Sequence, residues 1–367
     1  MHTMKDVARL ADVSVATVSA VLNSKPAVRP KLVKRVKDAM EALDYRPDYV
    51  ARSLRTRLTH SIGMVITNIA NAFFAEMLRG VQDAARQAQY SVILCITNDD
   101  PAEEERHLIT LYSRRVDGIL LATTLQHVAQ IPQARWPCPM VLVDNALPGF
   151  QGDAVLVDNR AAAYKGTKHL IELGHTRIGA ITGPPEVSSS RDREKGFRDA
   201  MEEARLVVPQ QFVKSGRFGV EGGYFCALEF LRMTERPSAV ISFNYLMTVG
   251  LLHAVEEVGI QCPREMSIVA IDDFDTGLNG FSLASLFNPK LTTIRQPAYA
   301  MGKRAFERLH KRMNTPEEAP DSGSGVTLIL DTELIIRNST APCESAQPGD
   351  ASTATNRASE LRAAATA

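Results

Sequence analysis

The stretch Thr3-Met4-Lys5-Asp6-Val7-Ala8-Arg9-Leu10-Ala11-Asp12-Val13-Ser14-Val15-Ala16-Thr17-Val18-Ser19-Ala20-Val21-Leu22 reads, on its residues alone, as two short helices around a tight turn. Thr3 is placed to cap the first helix, Asp6 is its capping-box partner, and Val7, Leu10 and Ala11 recur on one face. Asp12-Val13 ends that helix, because Asp tolerates the left-handed backbone such turns usually give to glycine. Ser14 caps a second helix, Val15 to Leu22, whose inward face is Val18, Val21 and Leu22. A third helix, Pro30 to about Asp44, carries the stripe Leu32, Val36, Met40 and Leu43, which covers the other two; Pro30 suits its first position. The unit is a helix-turn-helix with one small core.

Working outward, residues 1–60 carry twelve Lys and Arg against six Asp and Glu, a net +6, while the remaining 307 residues hold 30 basic and 36 acidic groups. A basic module on an acidic body is the footprint of a polyanion binder, although a solvated surface looks similar by charge alone. From Arg46 to His60 the chain is polar and basic, with one short amphipathic piece, Tyr49-Val50-Ala51-Arg52-Ser53-Leu54-Arg55, and reads as a linker with a latent helix. After Ser61 short apolar runs alternate with helical stretches: Ile62–Ile66, Val92–Ile96, Gly118–Leu121, Met140–Val143, Ile178–Ile181, Ala239–Ile241 and Ile268–Ile271. Buried parallel strands under covering helices are the simplest reading. Ser61-Ile62-Gly63-Met64-Val65-Ile66-Thr67 and Arg177-Ile178-Gly179-Ala180-Ile181-Thr182 begin alike, a hint of two similar α/β lobes. The last 27 residues, from Ala341, lack an apolar period and read as a disordered tail without coiled-coil heptads.

The bulk composition narrows the class. With 367 residues, 45% hydrophobic and 23% charged, the chain fits a soluble multi-domain protein. Its five cysteines, Cys95, Cys138, Cys226, Cys262 and Cys343, are scattered without a Cys-x-x-Cys pair, so neither a disulfide framework nor a zinc site is indicated and a reducing cytoplasm is expected. The opening Met-His-Thr-Met-Lys-Asp has no apolar leader, and no run approaches a membrane span. Neither a Gly-x-Ser-x-Gly elbow, a His-Glu-x-x-His pair nor a phosphate loop is present, and the eight histidines have no ligand spacing; His175 reads as a helix-end residue. No catalytic residue, metal or cofactor is expected.

Met4-Lys5-Asp6-Val7-Ala8-Arg9-Leu10-Ala11, Val13-Ser14-Val15-Ala16-Thr17-Val18-Ser19, Val21-Leu22-Asn23, and Tyr45-Arg46-Pro47 leading to Ala51-Arg52-Ser53-Leu54 resemble the lac-repressor/galactose-repressor family, and the likeness continues to about Arg337. The resemblance implies domains at 1–45 (helix-turn-helix), 46–60 (hinge helix) and 61–340 (effector binding and dimerisation), with 341–367 as the tail. It also implies a recognition helix in the major groove, with Val15, Ala16 and Ala20 at the base edges, flanked by Ser14, Thr17 and Ser19. Thr3, Lys5, Asn23, Arg29 and Tyr45 are its remaining DNA contacts in that unit. Ala20 stands where many members have a hydrogen-bonding residue, so bidentate guanine readout is not available from Val15, Ala16 and Ala20; thymine methyls, hydroxyl bonds and DNA shape remain. Leu54 matches the hinge residue that wedges into the minor groove, Val50 and Ala51 would face a second hinge, and Arg52, Arg55 and Arg57 would lie near phosphates. Two turns are too short to be stable alone, so the hinge is expected to fold only when paired on DNA. Arg29 replaces the usual Ser or Thr cap of the third helix.

For residues 61–340 the resemblance implies a two-lobed, periplasmic-binding-protein-like α/β domain of parallel sheets. Three crossovers are expected near Asp158, Leu291 and Ser322, giving lobes of 61–158 plus 292–321 and 159–291 plus 322–338. A ligand would lie in the cleft at the carboxyl ends of the strands. The matching positions are Phe73, Phe74, Asp144, Ser189, Arg193, Phe218, Asn244 and Asp272: aromatic rings to stack, Arg193 and Asp272 to hold hydroxyls or charges from opposite lobes. Ala72 replaces the common Pro, and Tyr245 the common Asp after Asn244. The expectation is a cytoplasmic, nucleoid-associated homodimer, a repressor that binds near-palindromic operator DNA under the control of a sugar, sugar acid or related metabolite, with no membrane partner. A transport binding protein would lack residues 1–60, and an enzyme using Asp144 and Asp272 as an acid/base pair finds no supporting motif.

Overall fold

The computed structural model describes residues 2–22, 28–45, 58–124, 138–273, 282–315 and 325–343. The chain divides into two compact units, Met1–Thr59 and His60–Ala367. Among the described residues no helix is long and apolar enough to cross a membrane.

The first unit holds α1 (Met4–Leu10), α2 (Val15–Leu22) and α3 (Pro30–Ala42). Thr3 and Asp6 form the expected reciprocal capping box, and Ser14 Oγ accepts from the Thr17 N–H at 3.1 Å. Asp12 is left-handed (φ 47), with Val13 N–H donating to Ala8 O at 3.0 Å and Asp12 N–H to Arg9 O at 3.2 Å, the bonds that close a helix through a left-handed residue. The core is Val7, Ala8, Ala11, Val18, Val36 and Ala39, with Val21, Leu22, Met40 and Leu43 packed around it. Leu10 is a correction: it is 54% exposed, because a seven-residue helix buries the stripe Val7, Ala8 and Ala11 and turns its neighbour outward.

The second unit alternates strand and helix: β1 (Ser61–Ile66), α4 (Ala72–Gln87), β2 (Ser91–Ile96), α5 (Pro101–Ser113), β3 (Gly118–Leu121), β4 (Met140–Val143), β5 (Asp153–Val157), α6 (Asn159–Glu172), β6 (Ile178–Thr182), α7 (Ser188–Glu203) and β7 (Val213–Ser215). Then come α8 (Val220–Leu231), β8 (Ala239–Ser242), α9 (Tyr245–Val258), β9 (Ser267–Ile271), β10 (Thr292–Arg295), α10 (Ala298–Asn314), β11 (Thr327–Leu330) and β12 (Glu333–Ile335). The strands form two sheets of the same design, β11-β5-β4-β3-β1-β2 and β12-β10-β9-β8-β6-β7, parallel except where β12 meets β10. The two similar sequences at Ile62 and Ile178 are β1 and β6, which hold equivalent places.

All seven apolar runs are strands. Five strands without such a run, β5, β7, β10, β11 and β12, complete the sheets. They also move two crossovers. The chain passes from the first lobe to the second at Asp158, returns at Gln296–Pro297 and crosses again at Asp331–Thr332. The places expected near Leu291 and Ser322 are therefore corrected, since β10 pairs with β9 in the second sheet and β11 with β5 in the first.

Apolar side chains bury both faces of each sheet, as parallel sheets require. The first lobe packs Met77, Val81, Met301 and Phe306 on one face and Leu108 and Leu111 on the other; the second is centred on Phe197, Phe230 and Phe243. Helices α4 and α10 meet backbone to backbone, since a Cβ on Gly80 would lie 2.0 Å from Tyr299 O. The C-terminal segment is not loose at Ala341 as expected: Ala341 N–H donates to Ser267 Oγ at 3.1 Å and Cys343 N–H to Leu173 O at 2.7 Å. Residues 344–367 lie outside the described residues. His175, just past α6, is buried and bonded to Ser238 and Ser267, a structural polar group.

Candidate functional site

Two faces carry candidate chemistry, one in each unit. On the helical unit, Thr3, Lys5, Ser14, Val15, Ala16 and Arg29 are exposed, and Thr17, Ser19 and Ala20 are partly buried on α2. Val15 is 40% exposed, so it is not part of the small core, which the opposite face of α2 already fills through Val18. Tyr45 packs against that core, and Arg29 starts α3 without a side-chain cap bond. Asn23, Val50, Ala51, Arg52, Leu54, Arg55 and Arg57 lie outside the described residues.

In the two-lobed unit, Asp144 follows β4 and Asp272 follows β9, the third strands of their sheets. Both have left-handed backbones, φ 67 and φ 92, as does Phe218 at φ 59 after β7. Such conformations cost non-glycine residues on the order of 1–3 kcal/mol each and gather at functional sites.

Arg193, on α7, is 4% exposed. Its Nε donates to Asn159 Oδ1 at 2.7 Å and its Nη1 to the Phe243 carbonyl, so its hydrogen bonds run to neutral acceptors rather than to a carboxylate. Burial lowers its pKa, while the nearby charges of Asp272 and Asp144 hold it up. Asp144 feels the reverse: burial pushes its carboxyl up to about 6 against the pull of Arg193, with Asp272 and Asp99 adding repulsion. The Asp272 carboxyl is also raised by burial and steadied by Arg193; its two oxygens accept from Gln296 Nε2 at 2.5 Å and Tyr245 N–H at 3.1 Å.

One guanidinium and two carboxylates are thus buried near one another at the strand ends: Arg193 feels both carboxylates, and each carboxylate feels Arg193. The division between lobes differs from expectation. Arg193 and Asp272 both belong to the second lobe, since α7 packs on β6 and Asp272 ends β9; Asp144 is the group from the first lobe. Ser189 is buried one turn before Arg193, and Asn244 caps α9 through the Met247 N–H while its Nδ2 holds the Phe218 carbonyl at 3.1 Å. Phe73 and Phe74 stand elsewhere: they sit edge to face, with centroids 5.2 Å apart, in the first lobe's core at 7% and 4% exposure. Ala72, at the head of the same helix, packs against the second lobe's core.

Sequence reasoning missed Asn159 and Gln296. Asn159 follows the crossover expected at Asp158, Gln296 flanks the one expected near Leu291, and Gln296 Oε1 is buried without a partner among the described residues. An Asn directly after a strand-ending Asp, and a Gln directly after an Arg-ended strand, were the only signals available.

Comparison with known proteins agrees with this layout. Residues 3–48 match the family described as bacterial regulatory proteins, lacI family, and residues 167–340 match a periplasmic binding protein-like domain. The ribose operon repressor of Escherichia coli (strain K12) is 38% identical over 320 residues, 86% of this chain and 94% of that protein. The HTH-type transcriptional repressor PurR of Photobacterium profundum is 35% identical over 341 residues, 92% of this chain and 98% of that protein. Among solved structures, a LacI family transcriptional regulator from Enterococcus faecium with bound ribose superposes with TM-score 0.66 at 27% identity, covering 77% of this chain and 100% of that one. The lac repressor dimer bound to operator and the anti-inducer ONPF shares the fold, with TM-score 0.78 at 23% identity over 93% of this chain and 99% of that one. With its helix-turn-helix, its paired parallel sheets and relatives of this identity along nearly its whole length, the chain belongs to the lacI family of bacterial regulatory proteins.

Proposed function

We propose that this chain is a homodimeric transcriptional repressor that binds operator DNA through α2 and the hinge and whose affinity is set by a neutral, polyhydroxylated small molecule, a sugar of pentose size, in the inter-lobe cleft. The observation that carries the ligand reading is the buried Arg193 that lies within the electrostatic reach of Asp144 and Asp272 yet, among the described residues, hydrogen-bonds to the neutral acceptors Asn159 Oδ1 and the Phe243 carbonyl. Carboxylates with acceptor capacity beside a guanidinium donor suit a row of hydroxyls. A second carboxylate within reach of Asp144, that of Asp99, makes an anionic sugar acid the poorer fit. The relative named a ribose operon repressor and the neighbour with bound ribose support a sugar over a nucleobase.

On the DNA side, the exposed apolar start of α2 favours thymine methyls and shape over guanine readout, so a large share of discrimination falls to Leu54 as a wedge. Coupling requires that the ligand bind the DNA-competent and incompetent states unequally. The test is a thermal-shift comparison of the full chain with D-ribose and with D-ribonate, followed by selection of duplexes from a random pool. A ribose-only shift and enrichment of a near-palindromic site that Leu54→Ala binds weakly are expected. Stabilisation by ribonate alone, or a Leu54→Ala chain with unchanged operator affinity at matched salt, contradicts the proposal.

A further inference from the structure

Helices α4 and α7 occupy equivalent places, each following the fifth strand of its sheet, beside the edge strand, but their first turns are completed differently. Asn71 caps α4 from its own chain neighbour position, accepting from the Phe73 N–H at 3.1 Å. Val187, in the same place before α7, has no side chain able to do so. An uncapped helix start leaves backbone N–H groups in search of acceptors.

Those acceptors come from across the cleft. Asn145, 5% exposed and directly after Asp144 in the first lobe, places Oδ1 at 3.3 Å from the Ser189 N–H and 3.4 Å from Ser188 Oγ. Ser188 Oγ in turn accepts from the Ala146 N–H at 2.8 Å. Asn145 Nδ2 is held by Asp144 Oδ2 at 3.1 Å and the Thr123 carbonyl at 3.5 Å, which fixes the amide's orientation. Each lobe thus satisfies a backbone donor of the other, in the manner of a capping box split over two lobes.

We propose that Asn145 and Ser188 form a clasp in which the first lobe supplies the N-cap of α7, so that the cap exists only while the lobes are closed. Asn145 is then a positioning residue: it touches neither DNA nor, on the reading above, the ligand, and acts through the helix that carries Ser189 and Arg193. The inference uses that ligand reading only for its consequence, that closure sets Arg193 opposite Asp144. The clasp itself is testable with no ligand present, so either can fail alone.

The experiment is amide hydrogen exchange and small-angle X-ray scattering on the full chain without ligand, for wild type, Asn145→Ala, Ser188→Ala and the double variant. One lost capping interaction corresponds to about three- to tenfold faster exchange. That acceleration is expected over residues 187–191, with the far helix α9 unchanged and a larger radius of gyration, and Ser188→Ala should add little once Asn145 is gone. Unchanged exchange at 187–191, acceleration spread evenly through both lobes in both single variants, or fully additive effects would overturn it.

Discussion

The two lobes are built on one plan and put to different chemical uses. Their strand orders correspond one to one, and at equivalent strand ends both carry left-handed residues: Asp144 and Asp272 after the third strands, Asp99 and Phe218 after the edge strands β2 and β7. The helices after the fifth strands, β1 and β6, then part company. In the first lobe α4 turns Phe73 and Phe74 into an apolar core, whereas in the second α7 buries Ser189 and Arg193. Duplicated architecture thus brings matching strand ends together, and one helix start decides which lobe brings the cation. The first lobe contributes a carboxylate and the second a carboxylate plus a guanidinium, so the set is assembled from both lobes.

This asymmetry can be broken by exchanging what the two helix starts contribute. Phe74→Ala should cost about 3–5 kcal/mol of stability by emptying the first lobe's core, yet at a temperature where it remains folded it should still give a ribose shift. Selective loss of that shift would mean that the first lobe also supplies the aromatic contact. Arg193→Ala leaves two carboxylates without their buried counter-charge; denaturant unfolding at pH 7 should show a loss of about 3 kcal/mol, and the ribose response should vanish altogether. A retained response would move the ligand elsewhere.

A subtler contrast lies in pH. The Asp144 carboxyl is raised to about 6 by burial, above its ordinary value, so the folded protein binds a proton the unfolded chain has already lost. Its contribution therefore favours folding below about pH 4 and is lost as pH rises through about 6. Asp144→Asn should match wild type at pH 4 and exceed it by about 2 kcal/mol at pH 7. Ligand affinity should move the other way, rising with pH as the acceptor ionises, and be weak at all pH values in the Asn variant. Isothermal titration from pH 5 to 7.5 checks this; a binding curve flat in pH would remove Asp144 from the site. The smallest effect concerns the caps: Val187→Asp gives α7 a cap of its own and should stabilise it by about 0.5–1 kcal/mol, making Asn145→Ala silent in hydrogen exchange at residues 187–191.

Physical range explains which parts were legible in the sequence. Caps, turns and apolar runs act within a few residues, so the Thr3 and Ser14 caps, the left-handed Asp12 and the seven apolar strands were readable. Leu10 was misplaced because periodicity cannot tell how wide a seven-residue helix buries its stripe. Strands such as Thr292–Arg295 and Thr327–Leu330 are short, with threonine or an exposed edge in place of an apolar run, and their omission displaced two crossovers. The candidate site residues came from resemblance. Their grouping did not: Arg193 beside Asn159 and the Phe243 carbonyl joins residues more than 30 positions apart through the packing within the second lobe, and Asn145 against Ser188 joins residues of the two lobes.

The most direct test is an operator titration. The duplex enriched from a random pool is titrated with the full chain at fixed salt, with and without saturating concentrations of the neutral sugar that gives the largest thermal shift. The account predicts at least a fivefold change in operator affinity, absent in Arg193→Ala. Identical affinities in the presence and absence of a sugar that demonstrably binds would contradict it.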